Sequence, residues 1–216
     1  MDLETFQENL LGTLVGDQET RDEAINNLET LKKIDYASFL SLALESIENP
    51  ANNRIPPIAI TRIYTEAKNK DLFEDEKSLI IFIDIFTSNI TAELLSENIE
   101  DHFKKLLSTI LALIHVYVFN QSEDLTIPNY ILTNYTEIPQ IKPYLMNCVY
   151  EISIKDQNLG GFDFQDLITI LLDDLPNQSL FEPRIHLYFA LAKSKPDLDI
   201  FHEMFSSLII ESILNT

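Results

Sequence analysis

Residues 52–64 read NNRIPPIAITRIY. Pro56 and Pro57 stand directly ahead of an apolar run with helical spacing. Inside a helix, proline lacks the amide hydrogen and its ring crowds the preceding turn. In the first turn the amides have no intrahelical partner, and the ring's fixed φ is already helical. With Asn53 or a close neighbour as cap, both prolines fall in that first turn. They therefore start a helix over about 55–69. Its inward face is Ile55, Ile58, Ala59 and Ile63, and its outward face is Arg62, Thr65, Glu66 and Asn69.

Upstream, ENPANN at 48–53 is a turn. Before it, Asp35 caps a helix with Phe39, Leu40, Ala43, Leu44 and Ile47 inward. Asp17 caps another over 18–33. There Arg21, Ala24, Ile25, Leu28 and Leu31 line one side, and Asp22, Asn26, Glu29 and Lys33 line another. The first helix, 2–15, carries Leu3, Phe6, Leu10, Leu11 and Leu14 at spacings of three and four.

Downstream the same spacing predicts helices over 91–120, 129–136, 140–156, 163–175, 179–193 and 197–214, while the Ile-rich centre of 74–90 could be read as a strand and its length and lack of turn residues favour a buried helix. NQSEDLTIP at 120–128 is expected to be a loop. Pro128, Pro139, Pro176, Pro196 and the Gly160–Gly161 pair punctuate the run. Helix pairs then begin near 2, 35, 74, 122, 162 and 196, an irregular period in the range of helical solenoids. In such arrays each pair completes its core by stacking on its neighbours. The expected fold is all-α: one helical-repeat domain over 1–216, built as an α-α superhelix of antiparallel helix pairs. The last predicted helix, with Phe201, Phe205, Leu208, Ile209 and Ile213, has an apolar outer face. That suggests a portion, or a shortened member, of a longer type.

Composition agrees. Of 216 residues, 45% are hydrophobic, which excludes wholesale disorder, and only 4 are glycine, which argues against a fold of many tight hairpins. Acids outnumber bases 35 to 15, for a net charge of −20. Such a surface repels nucleic acid and anionic lipid and attracts basic proteins. Cys148, the sole cysteine, excludes an internal disulfide. The start, MDLETFQENL, reads as neither a signal nor a transit peptide, so the expected compartment is cytosolic or nuclear. The sequons at Asn89, Asn120, Asn134 and Asn177 are then coincidental. The longest apolar stretch, LLSTILALIHVYVF at 106–119, has 14 residues and is too short to span a bilayer. It reads as a buried core helix.

Chemistry-bearing patterns are sparse. His102, His115, His186 and His202 form no paired metal spacing. Cys148 lies on a helical stripe and reads as a buried structural thiol. Asp173 and Asp174 are adjacent, so on a helix they point apart. No glycine-rich phosphate loop or nucleophile elbow occurs. We expect no catalytic residue, no cofactor and no metal.

Residues 6–70 resemble the N-terminal domain of the importin-β (karyopherin-β) family. That domain opens with an amphipathic helix, then an acid-led turn and a helix of the form R-x-x-A-x-x-x-L. Here this is DQETRDEAINNLETL, with Arg21, Ala24 and Leu28 in place. Ile25 stands where the family usually has Glu. SFLSLALESIENP matches the following helix, and ANNRIPPIAITRIY the start of the next. The family's Lys-Asn pair is replaced by Tyr64 and Thr65, with AKN at 67–69 a turn later.

The resemblance implies HEAT/ARM-type repeats whose concave face binds the small GTPase Ran in its GTP state, with basic cargo or an adaptor as further partner. It implies a nuclear transport receptor, or its N-terminal portion, moving between cytoplasm and nucleus. The implied contact residues are the outward ones of the second helices: Asp22, Asn26 and Glu29, then Arg62, Thr65, Glu66 and Asn69. The alternative is a helical-repeat scaffold for another assembly, such as a vesicle coat.

Overall fold

The computed structural model describes residues 1–69, 75–122, 125–156, 161–172, 180–194 and 206. Among these the regular elements are helices and there is no strand, so the chain is all-α. The predicted helix 197–214 lies outside the described residues, Ser206 excepted. Two compact units divide the chain, Met1–Ile110 and Leu111–Thr216.

In the first unit, α1 (Leu3–Gly12), α2 (Gln18–Ile34) and α3 (Tyr36–Glu48) each start on an aspartate. Asp2, Asp17 and Asp35 accept the backbone N–H of Thr5, Thr20 and Ser38 at 2.9, 2.9 and 3.0 Å. Each bond satisfies an amide with no partner in its own helix; these bonds at Asp2 and Asp17, and at Asp35 first the Ser38 hydroxyl and then the N–H, hold the carboxyl below its ordinary pKa. The prolines behave as expected in α4 (Ile55–Ala67), where they are the second and third residues. The cap position is Arg54 and makes no side-chain bond. Asn52 instead accepts the Arg54 N–H at 2.9 Å, forming the turn that leads into the helix. Ile55, Ala59 and Ile63 are buried, joined by Pro56, Ile60 and Ala67, whereas Ile58 is only half-buried.

α3 packs against α1, α2, α4 and α5 (Glu76–Leu95). Phe6 meets Phe39 edge-on with ring centroids 5.8 Å apart. The turn after α3 is held by a buried side chain: Gln7 donates to the Asn49 carbonyl at 2.9 Å and accepts the Ala51 N–H at 2.8 Å.

Two predicted boundaries move. The expected break near 90 is absent, and α5 runs to Leu95, because Phe82, Phe86, Ile90 and Leu94 continue one buried row. The break falls instead in the segment 96–100, where Ser96 Oγ accepts the Asn98 N–H at 3.3 Å. The second correction concerns the loop expected at 120–128. α6 (Asp101–Ser122) and α7 (Thr126–Glu137) occupy most of it. Pro128 is the third residue of α7, tolerated there for the reason that applies to Pro57.

In the second unit, a 3-10 turn (Pro139–Ile141) joins α7 to α8 (Lys142–Lys155), and α9 (Phe164–Leu172) and α10 (Phe181–Ser194) follow. α8 packs on α7 and α10, and α9 on α10. Ile131, Leu145, Met146, Ile152, Leu167, Leu187 and Leu191 are fully buried. Gly161 has φ 74°, a region that disfavours side chains, and a Cβ there would run into the Phe119 ring.

α5 and α6 are long and apolar enough to cross a membrane by length and composition, although the 106–119 run alone is not. A core helix passes the same test, and α5 buries Leu79, Phe82, Phe86, Ile90 and Leu94.

Gly12 marks the close approach of α1 to α2. A Cβ added there would lie 2.8 Å from the Ala24 Cβ, an atom that cannot swing away. Gly12→Ala should therefore lower stability by about 1–3 kcal/mol despite alanine's better helix propensity. Adding Ala24→Gly should recover part of the loss, read as the urea midpoint.

Candidate partner-binding face

Of the seven implied contact residues, Asp22, Asn26 and Glu29 lie on α2, Arg62, Thr65 and Glu66 on α4, and Asn69 beyond α4, all in the first unit. Asp22 and Asn26 are exposed on α2, beside Gln18, Glu19, Glu23 and Asn27. All six belong to one helix, so this is an open face rather than a pocket. Glu19, Asp22 and Glu23 take part in no ion pair among the described residues. Thr65 is exposed, and its hydroxyl donates to the Thr61 carbonyl at 2.8 Å. Asn69 is half-buried just past the end of α4.

Glu29, Arg62 and Glu66 are placed differently. Arg62 Nη1 lies 3.6 Å from Glu29 Oε1, Glu29 Oε2 lies 3.2 Å from Lys32 Nζ, and Lys32 Nζ lies 3.0 Å from Glu66 Oε1. This alternating chain of charges ties α2 to α4. Glu66 was expected on the outward face and is instead buried at 5% exposure. The physical reason is Lys32, whose long stem reaches the Glu66 carboxylate and makes burial tolerable. Burial alone pulls the Lys32 pKa down. The hydrogen bond and charge of Glu66, then of Glu29, outweigh it and leave the ammonium above its ordinary value. Tyr36 sits at the same junction. Its hydroxyl is buried without a hydrogen bond, and burial followed by the Glu66 charge pushes its pKa well up.

A second carboxylate lies deeper. Glu93 on α5 is fully buried, and neither carboxylate oxygen has a hydrogen-bond partner. Burial, then the charge of Glu48 at the end of α3, pushes its pKa up to about 8.

The histidines stay apart. His115 is buried beside Phe119 and Phe162, with ring centroids at 5.5 and 6.2 Å. His102 is exposed, 3.4 Å from Glu100, and His186 lies against Tyr150 with centroids 5.1 Å apart. His202, Asp173 and Asp174 lie outside the described residues. Cys148 is buried, and burial followed by the Glu151 charge pushes its thiol pKa up, as suits a packing residue. No group of three or more His, Cys, Asp and Glu among the described residues is arranged to hold a metal ion.

Comparison with protein-family models, with curated proteins and with solved structures finds no match to this chain.

Sequence reasoning missed Lys32, which carries the charge chain, and Glu93. The one signal for Glu93 is its place three residues after Ile90 and seven after Phe86, on the apolar row.

Two measurements follow from these carboxylates. The Glu93 pKa is raised on folding, so the folded state holds a proton that the unfolded state releases. Stability therefore falls as pH rises from about 4.5 to about 8, by at most about 1.4 kcal/mol per pH unit. Glu93→Gln should match the native protein at pH 4 and be more stable at pH 8, by urea unfolding at both. Lys32→Met should cost about 3 kcal/mol by stranding buried Glu66, and Lys32→Met with Glu66→Gln should cost clearly less.

Proposed function

We propose that this chain is a helical-repeat interaction module of the importin-β type. It acts as a nuclear transport receptor or its N-terminal portion, shuttling between cytoplasm and nucleus. Its partner face would be the exposed acidic side of α2, extended by Thr65 and Asn69. A Ran-type GTPase or a basic cargo or adaptor would dock there.

The observation that carries the reading is the packing order within the first unit. α1 packs on α2 and on α3, and α3 packs on α4 and on α5. The first helix of each pair thus touches the first helix of the next, which is how a stacked array of antiparallel pairs buries its core. In the second unit α8 and α10, the second helices of two successive pairs, pack on each other. Such an array leaves second-helix faces such as that of α2 for partners. Glu19, Asp22 and Glu23 then provide a field that steers a basic surface toward it.

A second reading, a scaffold for another assembly, is favoured by the charge chain. Glu29, Arg62 and Glu66 are already engaged with Lys32 or with one another. That leaves Asp22 and Asn26 as the exposed contacts on α2, with exposed Thr65 on α4.

Capture of a Ran-type GTPase by the immobilised chain separates the two. The transport reading expects strong preference for the GTP-loaded form, weakened about tenfold or more by Asp22→Lys with Glu23→Lys, and weakened by added salt. Absence of binding in either nucleotide state removes it and leaves the scaffold.

A further inference from the structure

We propose that Glu93 is the latch of a pH-operated opening in the first unit: losing its proton frees the last turn of α5 from α3 while the rest of the unit stays folded. The device is independent of the partner face on α2.

Glu93 is the third residue from the end of α5, and Glu48 is the last residue of α3. The Glu93 side chain is fully buried, and neither oxygen has a hydrogen-bond partner. A carboxylate does not stay ionised in such a place without a cation or donors. The neighbouring elements offer none. α3 carries no Lys, Arg or His, and Glu48 is the one charge that acts on Glu93. Lys77, the one base on α5, stands at the far end of the helix, about 24 Å along its axis. In the segment 96–100, exposed Glu97 and Glu100 add negative charge, and His102 lies 3.4 Å from Glu100. At the start of α6, Lys105 pairs with Asp101 at 3.5 Å. α3 and α5 also both end here, so their negative dipole ends disfavour the ion further.

Ionisation then leaves two routes: the unit unfolds, or Glu93 alone reaches water. Its position favours the second. Beyond it α5 has only Leu94 and Leu95, and the turn is closed by the Ser96 N–H, which donates to the Ala92 and Glu93 carbonyls at 3.0 and 3.3 Å. Releasing that turn uncovers Leu94 and, in the segment beyond, Ile99, while Leu79, Phe82, Phe86 and Ile90 stay buried. Unfolding the unit would uncover all of these together with the inner faces of α1 to α4. Less apolar surface meets water when one turn opens, so that route lies lower in free energy.

Burial and then Glu48 push the pKa of the closed state up to about 8, and in the opened turn it returns to about 4.5. Opening therefore grows by up to about tenfold per pH unit between these values and levels off above them.

The test is amide hydrogen exchange of the full chain at about pH 5.5 and about pH 7.5, each with and without dilute urea. Protection of the Leu94, Leu95 and Ser96 amides should fall by roughly fiftyfold or more from the lower pH to the higher, and dilute urea should leave it unchanged. The Phe82 and Phe86 amides should be better protected and should lose protection with urea, because they exchange only when the unit unfolds. Glu93→Gln should abolish the pH dependence at 94–96. Glu48→Gln, at an exposed residue that the fold does not need, should raise protection of the last turn about two- to fivefold at the higher pH and leave it unchanged at the lower. The proposal is overturned if the amides at 94–96 share the urea dependence of Phe82 and Phe86, which would assign the ionisation to unfolding of the whole unit. It is equally overturned if their pH dependence survives in Glu93→Gln.

Discussion

Helix α3 is short, at 13 residues, yet α1, α2, α4 and α5 all pack on it. Phe39, Leu40, Ala43, Leu44, Ser46 and Ile47 are all buried, which takes up more than one face of the cylinder. A helix so enclosed cannot shed one neighbour without exposing apolar surface to water, at about 25 cal/mol per Å². The first unit therefore depends on this shared contact. Phe6 against Phe39 fixes α1, and Gln7 then fixes the turn after α3 through two backbone bonds. That turn sets where α4 begins, and Pro56 and Pro57 set its direction.

Polar groups inside this unit fall into two kinds. The chain Arg62–Glu29–Lys32–Glu66 is compensated: each carboxylate has a cation, and the charges alternate. Glu93 is not, because the one charge that acts on it strongly is another carboxylate, Glu48. The two cases show the rule that a buried ion needs a partner and otherwise gives up its charge. They also divide the outward residues of α2 and α4 by role. Asp22 and Asn26 meet solvent, while Glu29, Arg62 and Glu66 hold two helices together.

In the second unit a side-chain bond to the backbone joins two helices. Tyr135 on α7 donates to the Ile170 carbonyl of α9. The same bond uses up the phenol's proton, so one contact both joins two helices and makes the floor of the cleft beside it apolar. Lys142 opens α8 and so reaches the cleft mouth from a third helix. The cleft is lined by the adjoining ends of α7 and α8 and by α9, which alone is distant in sequence.

Local chemistry was legible in the sequence. Asp17 and Asp35 as caps, the prolines as a helix start, the buried Phe6, Leu10, Ala24, Leu28, Ala59 and Ile63, the inward face of α3 and the buried Cys148 follow from spacing within a few turns, whereas Leu14, expected on the apolar face of the first helix, lies past the end of α1 and is 64% exposed. The ends of α5 and α6 did not. Whether a helix continues through 90–95 depends on whether Leu94 finds a buried place, and only a neighbour can provide one. The inward turn of Glu66 and the isolation of Glu93 are of the same kind, since each depends on what α2 or α3 presents across the contact. Sequence by itself determined where the first four helices start and most of the apolar stripe of each, because those rest on bonds and periodicities within one segment. Tertiary structure alone decided which charges are spent, which carboxylate is stranded and where a cleft opens, because burial and pairing belong to residues brought together from separate helices.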